Sequence, residues 1–215
     1  QEYKGKRAIL VFDGVMARYE LYVNGEKVTE HRGGYSRSFV DITQYLSEGE
    51  NTLVMMVDST ENPDIPPFGY TIDYMCFGGI YRDVNLYLAE DIWIENLLVR
   101  YELNGNEAIL YPELQTGNAG GAFDGKVTVK LSAPNGSMVK TYSQTVSFAA
   151  GHGKAVMEKV NVGEITRWDM DNPCLYTVQV SVEKDGTVLD DKSARIGFRT
   201  VECRPDGFFL NGKKH

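Results

Sequence analysis

Residues 176–186 read Tyr176-Thr-Val-Gln-Val-Ser-Val-Glu-Lys-Asp-Gly186. Tyr176, Val178, Val180 and Val182 alternate with Thr177, Gln179, Ser181 and Glu183. That period of two belongs to a strand that buries one face and wets the other. The Asp185-Gly186 pair closing the run suits a tight hairpin turn, whose mirror-image backbone needs positive φ at its central residues. Outward from this stretch the pattern repeats. Val127, Val129 and Leu131 alternate with Lys126, Thr128, Lys130 and Ser132, and Tyr19, Leu21 and Val23 with Glu20, Tyr22 and Asn24. Asn-Gly or Asp-Gly occurs eight times, beginning at residues 13, 24, 104, 124, 135, 185, 206 and 211, several of them between alternating runs. No segment keeps apolar residues at i, i+3, i+4 and i+7 over three turns. The fold class is all-β, with one helical turn expected over Ile42–Leu46 behind Asp41 as N-cap.

Composition bounds the function. The chain has 215 residues, room for one large β domain or two ordinary sandwiches. With 42% hydrophobic and 24% charged residues it can build a packed core. Its formal charge of −8 disfavours a phosphate backbone, so no nucleic acid partner is expected. No run approaches the ~18 apolar residues of a spanning helix, and the start carries no basic-then-apolar leader, so no membrane partner is expected either. Cys76, Cys174 and Cys203 are odd in number and widely spaced, with no Cys-x-x-Cys pair. They read as buried free thiols in a reducing, cytoplasmic setting. With the scattered His31, His152 and His215 they argue for no metal centre.

The chain divides by texture. Residues 1–90 are aromatic-rich and hold a long irregular stretch over 58–79. Residues 91–201 carry short regular hairpins and match the size of an immunoglobulin-like sandwich. Residues 202–215 read as a hairpin of a third unit, apolar at Phe208-Phe-Leu210 and without evident cover. The abrupt Gln1 and this tail mark the sequence as an expected piece of something longer.

Few motifs promise chemistry. Gly151-His-Gly-Lys154 lacks the phosphate-loop spacing and a following helix, and reads as a hairpin turn. Asn135-Gly-Ser137 matches a glycosylation sequon and equally a turn. The informative stretch is Asp73-Tyr-Met-Cys-Phe-Gly-Gly-Ile-Tyr-Arg-Asp-Val84. Its adjacent glycines permit a sharp turn and close backbone approach before a strand at 83–88. Arg82 and Asp83 point to opposite faces of an extended chain and are expected to fix the loop separately rather than pair. Asp73, at the loop mouth, can accept two hydroxyl hydrogen bonds.

Gly78-Gly-Ile-Tyr-Arg-Asp-Val84 resembles the [Ser/Gly/Ala]-Gly-Ile-[Phe/Trp/Tyr]-Arg-Asp-Val signature of glycoside hydrolase family 2, the β-galactosidase and β-glucuronidase family. Further matches follow in the family's order: Phe12-Asp-Gly-Val15, Tyr22-Val-Asn-Gly25, Gly34-Tyr35, Phe39-Val-Asp-Ile-Thr-Gln-Tyr-Leu46, Gly49-Glu-Asn-Thr-Leu53, Trp168 with Pro173-Cys-Leu-Tyr176, Gly197-Phe-Arg199 and Asp206–Lys213. They cover nearly the whole chain.

The resemblance implies a jelly-roll sugar-binding domain at 1–90, lacking its first strands. An immunoglobulin-like β-sandwich follows at 91–201, with Trp168, Pro173 and Tyr176 in its core and strand entry. The start of a (β/α)8 barrel falls at 202–215. In this family two glutamates on that barrel act by a retaining mechanism through a glycosyl-enzyme, so this chain carries no catalytic residue. Asp73 falls where the family places an aspartate that contacts hydroxyls of the non-reducing sugar. In the galactosidase branch that aspartate helps hold a sodium ion, the one cofactor implied.

The expected partners are a terminal β-linked sugar, the protein's own C-terminal barrel and further copies of itself in a homo-oligomer. A galactoside is preferred over a glucuronide, whose carboxylate needs cations. Two other readings compete, a free-standing carbohydrate-binding module, which predicts measurable sugar affinity, and a two-sandwich interaction module, which predicts a protein ligand; the apolar tail Phe208–Lys214, without evident cover, weighs against both. The missing strands further predict exposed edges and self-association, or incomplete order in the first unit.

Overall fold

A computed structural model of the chain describes residues 5–69 and 75–215. It is all-β, as the period-2 runs predict, and divides into two compact units, Gln1–Glu90 and Asp91–His215.

The first unit contains β1 (Arg7–Phe12), β2 (Val15–Met16), β3 (Arg18–Val23), β4 (Glu26–Arg32), β5 (Ser38–Asp41), β6 (Leu53–Asp58), β7 (Gly79–Ile80) and β8 (Val84–Ala89). All pairings are antiparallel, in the orders β5-β1-β8, β4-β3-β6 and β2-β7. Tyr19, Leu21 and Val23 of β3 are buried, as their alternation requires, and pack with Ala8, Leu10, Phe12, Val15, Val40 and Ile42. Asn24 and Gly25 take φ of 51° and 87° in the β3–β4 turn, the positive values that favour this pair. Strands β6 and β8 lie at sheet edges among the described residues. They expose Leu53, Val54, Met56, Val84, Leu86, Tyr87 and Leu88.

The second unit continues with β9 (Ile92–Leu98), β10 (Tyr101–Asn104), β11 (Glu107–Leu110), β12 (Glu113–Asn118), β13 (Phe123–Ser132), β14 (Met138–Phe148), β15 (Gly151–Val156), β16 (Val160–Glu164), β17 (Tyr176–Lys184), β18 (Thr187–Ile196), β19 (Val201–Arg204), β20 (Gly207–Leu210) and β21 (Lys213–Lys214). Four sheets run β14-β13-β17-β18, β15-β12-β9, β10-β11-β16 and β19-β20-β21. Register sets Val127 opposite Val182, Val129 opposite Val180 and Leu131 opposite Val178, and all six are 0% exposed. Burying such a side chain is worth ~1.5–3 kcal/mol, so this ladder is the main cohesive element of the unit. Phe198 seals it, its ring 5.2 Å from that of Tyr176 and 5.0 Å from that of Tyr101.

Several expectations are corrected. The turn after Asp41 is a 3₁₀ turn, Thr43–Tyr45, with Ile42 at the cap position. Asp41 still serves it, because its Oδ1 accepts from the Thr43 amide at 2.9 Å. Asp124-Gly125 is not among the pairs that make turns and lies inside β13, where a Cβ on Gly125 would meet the Phe123 ring at 2.9 Å and the Phe148 ring at 3.0 Å. Gly151-His-Gly-Lys154 is no hairpin either: it opens β15, and the chain has crossed from the β13 sheet to the β12 sheet.

Of the trio at 168, 173 and 176, only Tyr176 is core. Trp168 is half-buried, held between the bare face of Gly197 and the Arg199 guanidinium at 5.1 Å, and Pro173 is exposed. The thiols are unpaired but not buried: Cys76 and Cys203 are exposed and Cys174 intermediate, because the first two lie in a surface loop and on the solvated β19. The tail has cover. Phe209 and Leu210 are buried, and Asn211 bonds the Thr200 amide and the Trp168 carbonyl. Only Phe208 stays out.

Candidate functional site

The Gly78–Val84 motif builds the first unit's loop end. Gly79 has φ of 83°, a backbone that L side chains rarely adopt, and its amide donates to Ser59 Oγ at 3.1 Å. A Cβ on Gly78 would stand 2.6 Å from Ser59 Oγ. Ser59 in turn donates to the Met16 carbonyl at 2.8 Å, so both glycines are needed for β7 to reach β2. The pairing of Val15 with Ile80 carries the chain on to Tyr81 and Arg82. The strand proper starts at Val84, with Arg82 and Asp83 still in the loop.

Here an open cleft of about 570 Å³ is lined by Asp13, Tyr35, Arg37, Tyr81, Arg82 and Asp83. Tyr81 is its pivot. Its hydroxyl donates to the Gly34 carbonyl at 2.7 Å, and its ring meets Tyr35 edge-on at 6.4 Å. The Arg82 guanidinium lies 5.3 Å from the Tyr81 ring centre. A Cβ on Gly14 would stand 2.9 Å from the Tyr81 ring, so the β1–β2 turn needs glycine for Tyr81 to lie there. Arg37 Nε donates to Asp13 Oδ1 at 2.6 Å, and the Asp13 amide donates to the Asp83 carbonyl at 3.0 Å. Arg82 and Asp83 do act separately, Arg82 through an aromatic ring and Asp83 through its backbone carbonyl. Two guanidiniums, two carboxylates and two phenols make the cleft polar with no net formal charge.

Asp73 lies outside the described residues, as does the position of a sodium ion beside it. Among the described residues no group of three or more His, Cys, Asp and Glu stands together to hold a metal. Asp13, Tyr35 and Arg37 were missed as site residues. Asp13 and Tyr35 carried a signal, since Phe12-Asp-Gly-Val15 and Gly34-Tyr35 are two of the motifs the family resemblance picks out, whereas Arg37 lies in none of them.

Residues 1–90 match the family model described as glycosyl hydrolases family 2, sugar binding domain, and residues 92–199 the one described as glycosyl hydrolases family 2. The chain belongs to glycosyl hydrolase family 2. It is 35% identical over 217 residues to a β-galactosidase of Thermoanaerobacter pseudethanolicus, covering 99% of this chain and 29% of that protein. It is 31% identical to a β-glucuronidase of Bacteroides fragilis, covering 99% and 32%. Among solved structures, a β-glucuronidase of Bacteroides uniformis superposes with a TM-score of 0.84 at 29% identity over 99% of this chain and 27% of that one. The chain thus spans about three-tenths of the length of the curated relatives it matches. The all-β reading, a jelly roll followed by an immunoglobulin-like sandwich, agrees with these family 2 structures.

Proposed function

We propose that this chain is the non-catalytic N-terminal portion of a retaining exo-β-glycosidase, β-galactosidase-like, that removes terminal β-linked sugars. One observation carries the reading: two family 2 models match consecutively over a chain that spans only three-tenths of relatives named as glycosidases. In this reading the acid/base and nucleophilic glutamates belong to a following barrel, and the chain alone is inactive. Its work is to scaffold that barrel and present Asp73 to hydroxyls of the terminal sugar, with a sodium ion beside it in a galactosidase. Galactose is put first because the two relatives at 35% identity are β-galactosidases. The 31% match to a β-glucuronidase makes the glucuronide the second reading, and assaying both glycosides separates them.

A hydrogen bond to a charged group is worth ~1.5–3 kcal/mol, equivalent to ~10- to 150-fold in rate if it strengthens in the transition state. Asp73→Asn in the full-length protein is therefore expected to lower kcat/KM by about that factor while leaving the melting temperature unchanged. Wild-type kinetics in the variant would remove Asp73 from the site.

A further inference from the structure

The cleft around Tyr81 is built more carefully than a loop junction requires. Gly14 is shaped around it, since a Cβ there would strike Tyr81, and the Gly34 carbonyl accepts from the Tyr81 hydroxyl. Yet its polar groups are only partly used. Among the described residues the Arg82 guanidinium has no ion pair and stacks on Tyr81, and the Asp83 carboxylate has none. Arg37 uses Nε on Asp13, leaving its Nη donors unspent there. Tyr35, its hydroxyl 3.7 Å from Cys76 Sγ, stands beside them with 44% of its surface exposed.

We propose that this cleft binds a neutral saccharide, its vicinal hydroxyls read by the carboxylates of Asp13 and Asp83 and the guanidiniums of Arg37 and Arg82, with a C–H face against the Tyr35 ring. The inference rests on the glycosidase reading above and adds residues that it does not use. The chemistry selects the ligand class. A carboxylate accepts from two adjacent hydroxyls, and a guanidinium donates two parallel N–H bonds. An aromatic ring offers an apolar face with limited entropy cost. Two positive against two negative side chains give the cleft no net charge to draw an anion, so uncharged sugars are favoured over uronates or phosphates. The volume of about 570 Å³ lies within the range of small-ligand pockets. An open, solvated site binds weakly, with Kd expected on the order of 1–10 mM.

The test is an NMR titration of the 215-residue chain with lactose and, separately, with glucuronic acid. Lactose is expected to shift the side-chain Nε–H signals of Arg37 and Arg82 and the amides of Asp13 and Asp83, with glucuronic acid weaker. Arg82→Gln and Asp83→Asn should each weaken lactose binding by roughly tenfold. Lys140→Gln, an exposed change on β14, should leave it alone. Without any substitution, saturating lactose should also protect Arg82 from modification by phenylglyoxal.

The proposal is overturned by the absence of shifts up to ~50 mM lactose, by shifts indifferent to both cleft variants, or by tighter binding of the acid. Asp73→Asn in the same titration separates the two readings. Shifts that persist in it belong to the cleft, and shifts that vanish assign the sugar to Asp73 alone. A silent cleft together with impaired kinetics of full-length Asp73→Asn would remove the cleft and keep the glycosidase.

Discussion

Gly79 shows how one residue carries both fold and site. At φ of 83° it lets β7 lie against β2 and sends Tyr81 into the cleft. An L residue held in that region costs ~1–2 kcal/mol, so Gly79→Ala should lower stability by about that amount in urea unfolding. An unchanged midpoint would show that the loop relaxes freely. Asp190 is a second residue whose surroundings have a measurable consequence. Burial pushes its carboxyl above the usual 3.8, against the hydrogen bonds it accepts from the Ile94 and Asp191 amides.

The folded state therefore binds this proton more tightly than the unfolded state. Asp190's contribution is most favourable below 3.8 and is lost as pH rises through the raised folded value. Asn keeps an acceptor for the Ile94 amide and carries no charge. Asp190→Asn should thus gain in melting temperature relative to wild type as pH climbs from below 3.8 to neutrality. A difference that stays flat, or falls, with pH would contradict the assignment.

At the element scale, the strands were the legible part. Val127 to Leu131 and Val178 to Val182 alternate in sequence because a pleated strand buries every second residue, and all six are fully buried across one ladder. Leu131→Ala should cost ~2–5 kcal/mol, whereas Leu86→Ala on the outer strand β8 should change stability by within about 0.5 kcal/mol. Equal costs in thermal unfolding would show that β8 is not the edge it is here.

The cleft was not legible in the same way. It joins residues 13, 35–37 and 81–83 through turns, and turns carry no periodic signal. Only Tyr81-Arg-Asp83 stood inside a motif read as chemical. Gly151–Lys154 misled for a related reason: glycines that look like a turn here open a strand just after the chain has crossed between sheets, with Gly151 at φ of 82°. The thiols misled because cysteine's general preference for burial says nothing about a particular loop.

For the whole molecule, the described residues of the first unit leave apolar side chains exposed on two edge strands, Leu53, Val54 and Met56 on β6 and Val84, Leu86, Tyr87 and Leu88 on β8. Free edges of this kind pair with other chains. The 215-residue chain should therefore sediment as a concentration-dependent oligomer, and Met56→Lys with Leu86→Lys should shift it toward monomer. A monomer at all concentrations would contradict this. We propose that such a chain works within a family 2 glycosidase whose catalytic glutamates belong to a following barrel. The most direct test of this central claim compares the full-length protein and the 215-residue chain on p-nitrophenyl β-galactoside and β-glucuronide. Hydrolysis of one glycoside by the full-length protein and of neither by the chain is the expected result. Hydrolysis by the chain alone, or a full-length protein inert toward both, would contradict it.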